Sequence, residues 1–133
     1  MFTAVLEALK LLGNALTGAR KLRSDERERF AKMCENISSV LQGFIDAPRD
    51  RRKSLGLCAQ LREFVVPLRT LASGTLPSDE INRLAQALDG VCDAWASFYG
   101  ESEAGSHPEE RELDQIVVAV GTFRGLAEVV RAQ

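Results

Sequence analysis

The chain reads as an all-α protein, a single antiparallel bundle of about five helices over residues 1–133. Three observations predict this. Apolar residues recur three and four positions apart in successive segments, which puts them on one face of a helix. Proline, glycine and capping residues separate those segments. No segment reads as a strand; Val117-Val118-Ala119-Val120 has β propensity, but the spacing around it is helical. Hydrophobic residues at 45% and charged residues at 27% suit a folded domain with its own core.

The first helix is read over residues 2–22. Phe2, Val5/Leu6, Leu9, Leu12, Leu16 and Ala19 form its stripe, Leu11 widens it and Leu22 extends it. Its expected role is to pack in the bundle, because Gly13 and Gly18 weaken it as an isolated helix. The alternative is an amphipathic helix on a membrane or a partner, with Arg20, Lys21 and Arg23 at anionic headgroups. A secretory signal is a poor match, since the basic residues follow the apolar stretch.

Ser24-Asp25-Glu26 restarts the chain. Either Asp25 with Glu28 makes a capping box, or Ser24 caps with acids in the first turn. The second helix is the clearest of all. Phe30, Met33, Ile37, Val40/Leu41 and Phe44 line its inner face, opposite Glu28, Lys32, Glu35, Asn36 and Gln42. It runs to about Asp46, where Pro48 ends it or opens the next helix. The third helix spans about Arg49–Ala72, with Leu55, Cys58, Leu61, Phe64/Val65, Leu68 and Leu71 inward. Pro67 should kink or split it near Phe64, and Gly74 fits its end.

Ser78 is the expected cap of the fourth helix, which carries Ile81, Leu84, Leu88, Val91/Cys92, Trp95 and Phe98 before Gly100 stops it. Trp95 reads as a core anchor. Residues 101–107 are a polar loop. Ser106 or His107 then caps the last helix, with Pro108 just inside and Leu113, Ile116/Val117, Val120, Phe123/Leu126 and Val130 as its stripe.

Composition excludes several function classes. The net charge is −2, which gives no reason to expect general nucleic-acid binding. There is no apolar run long enough to cross a bilayer. Cys34, Cys58 and Cys92 each fall in the apolar pattern of a different helix. They read as small core residues in a reducing, cytoplasmic setting, with a disulfide disfavoured. One histidine, His107, supports neither a zinc site, nor a di-iron bundle, nor a nucleophile–histidine pair. No glycine-rich phosphate loop is present. The expectation is a non-enzymatic protein with no cofactor, no metal and no small-molecule substrate.

Charge is uneven along the chain. Arg49, Arg51, Arg52 and Lys53 form the densest basic run, and Glu109, Glu110, Glu112 and Asp114 a strongly acidic one. Each reads by default as a solvated helix start. Cations near a helix N-terminus oppose the macrodipole, however, and that small cost keeps a binding role in view for the basic run. The basic run of one copy meeting the acidic run of another would be a head-to-tail contact, able to build rings or filaments.

Arg29-Phe30-Ala31, Glu35-Asn36-Ile37-Ser38 and Leu41, followed by Cys58-Ala59-Gln60-Leu61-Arg62-Glu63, resemble a helical module of bacterial multidomain proteins. Those proteins are similar to effector-associated, death-domain-like adaptors of bacterial signalling and antiphage defence. The resemblance covers about residues 25–95 and is carried mainly by apolar and cysteine positions. It implies an adaptor that joins protein parts, and it carries over no catalytic residue. The expected function is therefore a protein–protein interaction module, with self-association as one form of it. The alternative is a membrane-surface protein acting through residues 1–23.

Overall fold

Five α-helices carry the chain: α1 (Thr3–Leu16), α2 (Ser24–Asp46), α3 (Arg51–Leu71), α4 (Ser78–Glu101) and α5 (Glu110–Arg131). The structure, a computed structural model, describes residues 3–16, 23–47, 50–71, 78–101 and 110–132, without the side chains of 16, 51, 94–101, 110 and 111. The expected end of α1 beyond Leu16, the boundary at Pro48, the stop at Gly74 and the loop and cap over 102–109 lie outside the described residues. So do the side chains of Trp95 and Phe98.

All five helices contribute to one buried cluster. Phe30, Ile37, Leu41 and Phe44 of α2 are fully buried, as are Leu9 and Leu12 of α1, Leu61 and Leu68 of α3, and Phe123 of α5. Val5, Ala8, Leu9 and Leu12 are all buried, so α1 packs its apolar face into the core. Leu11 does not widen that face; it is 41% exposed. Two further stripe positions turn outward. Leu55 is exposed, and Ser54 and Leu57 take the inner line of α3 instead. Val117 is exposed while its neighbour Ile116 is buried.

Among the described residues, α1 touches α4 and α5, α2 touches α3 and α5, and α3 touches α4. The helices thus form a closed circuit, α1–α4–α3–α2–α5, in which neither α1 and α2 nor α4 and α5 touch. Contacts between α2 and α5 step in opposite directions: Ser38 Oγ donates to the Val120 carbonyl at 3.2 Å, and Arg131 reaches back to Glu28 and Glu35. Those between α1 and α5 step together, since Thr3 meets Gln115 and Gly13 faces Leu126. A circuit of five elements cannot alternate direction throughout, and the α1–α5 pair is where alternation fails.

Helix ends differ in detail from the sequence reading. Arg23 holds the N-cap position of α2 with no side-chain cap bond, and its carbonyl accepts the Arg27 N–H at 2.9 Å. Neither the expected capping box nor a Ser24 cap forms. Asp25 and Glu26 still place acid in the first turn, where the helix dipole favours it. Pro67 does not split α3, which is helical from Arg51 to Leu71. Proline removes the donor to the Glu63 carbonyl, and both residues are solvent-exposed, so water can replace the bond. Helix α4 continues through Gly100 to Glu101. No described helix is long and apolar enough to cross a membrane.

Candidate protein interaction surface

The basic run begins at a well-made cap. Asp50 Oδ1 accepts the Lys53 backbone N–H at 3.0 Å, and the Asp50 carbonyl accepts the Ser54 N–H at 2.9 Å. An aspartate at this position satisfies an orphan donor and sets a negative charge at the positive end of the helix. It offsets part of the unfavourable placement of the cations that follow. Arg52 and Lys53 are exposed. Arg49 and the side chain of Arg51 lie outside the described residues. In the acidic run Asp114 is exposed and Glu112 is half-buried. Glu109 and the side chain of Glu110 lie outside the described residues.

The described residues of both runs sit at one end of the molecule. Gly43 of α2 faces Leu57 of α3, and Ser38 faces Val120 of α5, so the starts of α3 and α5 both flank the end of α2. Patches that share an end can meet head to head about a two-fold axis, but a head-to-tail contact along the bundle needs a partner surface at the other end.

A different surface emerges at the opposite end. A β-carbon at Gly43 would sit 2.9 Å from Leu57 Cδ2, so the glycine allows α2 and α3 to approach closely there. Toward the start of α2, Met33 and Phe64 stand between the same helices and leave a groove of about 530 Å³. Met33, Phe64, Val66, Pro67 and Leu71 give it an apolar floor, with Arg29, Lys32 and Asn36 along the α2 side and Glu63 and Thr70 along the α3 side. Val66 is 70% exposed, an aliphatic side chain held in water beside other apolar groups. Sequence reading passed over it because Val65, next to it, satisfied the inward stripe. The usable signal was a valine followed by Pro67 on the outer face of a helix otherwise rich in charge there.

Polar clasps hold the neighbouring helices. Arg62 of α3 bonds Asp93 and lies 3.9 Å from Asp89, both on α4. Arg131 of α5 bonds Glu35 and reaches Glu28 at 3.1 Å. The Arg131 hydrogen bond, and then its charge, hold the Glu28 carboxyl below the usual carboxylate range. These pairs are exposed, so each adds little stability but fixes orientation.

Cys34, Cys58 and Cys92 are all buried and free. Burial pushes the Cys34 thiol up to about 12. Cys92 Sγ donates to the Cys58 carbonyl at 3.4 Å, and a hydrogen bond to Cys92, with burial added, pushes the Cys58 thiol upward. The raised values keep the Cys34 and Cys58 thiols protonated at neutral pH, whereas the hydrogen bond with Cys58 lowers the Cys92 thiol from its ordinary value. No group of three or more histidine, cysteine or acidic side chains suited to a metal ion occurs among the described residues.

No protein-family profile matches this chain, and neither a curated protein nor a solved structure matches it. The geometry therefore stands as the basis for a functional reading.

Proposed function

We propose that this chain is a non-enzymatic protein–protein interaction module, an adaptor, whose contact face is the groove between α2 and α3. The observation that carries this is Val66, 70% exposed in an apolar groove flanked by Arg29 and Lys32. An apolar floor with a charged edge is the arrangement by which helical domains take up a partner helix or loop. The groove falls within the residues that resemble bacterial effector-associated adaptors, which is consistent with a role in signalling or defence. The membrane-surface alternative has less support, because α1 already commits Val5, Leu9 and Leu12 to the core.

The test compares wild type with Val66→Asp, using a photo-crosslinker introduced at Thr70 in both. Wild type should crosslink one partner, itself or another protein, at defined stoichiometry. The variant should lose that product while keeping its helical circular dichroism. Absence of any crosslinked product from wild type, in its host extract and at high concentration alone, would overturn the reading.

A further inference from the structure

Resting on the groove as a contact face, we infer that its occupant is a second copy of this chain, which enters with the outward face of α5. Val117 and Val118 project from that face, 53% and 55% exposed. Asp114, also exposed, lies one turn earlier on the same helix. Two neighbouring aliphatic side chains with an acid beside them complement the apolar floor of the groove when the acid lies on its α2 side, at Arg29 and Lys32 and away from Glu63 on the α3 side.

Position adds a second argument. The groove lies along the first half of α2, whereas Asp114, Val117 and Val118 lie near the opposite end, because α5 runs back along α2. Groove and ridge are different surfaces at different ends, so the contact is heterologous. Repeated, it extends into a chain or closes into a ring. The head-to-tail assembly expected from charge is thereby retained with another basic partner: Arg29 and Lys32 replace the run at the start of α3. The patch is small, which puts the contact in the weak, concentration-dependent class.

Sedimentation velocity on the full chain at low salt, over rising concentration, tests the inference. Wild type should gain mass with concentration, and added salt should reverse the gain. Val66→Asp removes the groove and Val118→Asp the ridge. Each should weaken association at least tenfold while leaving the thermal melt and circular dichroism close to wild type, since both side chains are exposed. Mixed together, the two variants should form a 1:1 complex, because each supplies the surface that the other lacks. Association that survives both variants, or a mixture that stays monomeric, overturns the inference. So does a wild type that is monomeric at every concentration. If that monomer still crosslinks a foreign protein in a Val66-dependent way, only the second copy is excluded. If it crosslinks nothing, the interaction-module reading falls with it.

Discussion

Ser54 is the residue most at odds with its surroundings. It is fully buried on α3, and its hydroxyl has no hydrogen-bond partner among the described residues. Leaving a buried hydroxyl unsatisfied costs about 1–3 kcal/mol, so Ser54→Ala should raise stability by about 1 kcal/mol in urea unfolding. An unchanged midpoint would mean that the hydroxyl is satisfied. Two glycines offer a contrast. Among the described residues nothing lies within 4 Å of a β-carbon at Gly90, and Gly90→Ala should gain roughly 0.5–1 kcal/mol from helix propensity alone. At Gly43 the same change drives into Leu57, so Gly43→Ala should show no such gain, and the difference between their melting temperatures measures the close approach. Most inward residues were legible from spacing, but Leu11, Leu55 and Val117 were not. They flank the inner face, where a 3.6-residue period leaves two adjacent candidates and only a neighbouring helix chooses between them. Ser54 was invisible for the opposite reason: a polar residue carries no apolar signal.

At the scale of elements, the clasp between α2 and α5 links stability to pH. The folded-state pKa of Glu28 is lowered by Arg131, so its contribution is present above the ordinary glutamate range and is lost as pH falls through the lowered value. The stability gap between wild type and Arg131→Ala should therefore be wider at pH 7 than at pH 3 in low salt. A gap that is equal at both pH values would show that Arg131 acts through packing alone. Helix existence and approximate limits were readable because caps, prolines and acidic first turns are local. The persistence of α3 through Pro67 was not. It goes with Glu63 and Pro67 both lying on the exposed side of α3, which is a property of how α3 is rotated in the bundle.

Across the whole molecule, burial of the thiols makes them reporters of opening. Cys34 sits in the core with its thiol pushed up to about 12. Its alkylation by iodoacetamide at pH 8 should wait on unfolding, and should slow further in Ser54→Ala in proportion to the gain in stability. Labelling at the rate of a free thiol in native buffer would contradict the packed core. The sequence by itself determined five amphipathic helices, an all-α core centred on Phe30 and Phe44, and cysteines that belong to that core. Those properties follow from a period that repeats along the chain and needs no knowledge of neighbours. Only the tertiary structure decided that α1 lies beside α4 and α5, that α1 and α5 run in the same direction, and that the starts of α3 and α5 share one end. The groove at Val66 also belongs to this level. Each depends on which helices pack together and how closely, and that is set by side-chain shape at meeting points such as Gly43 and Leu57, far apart in the chain.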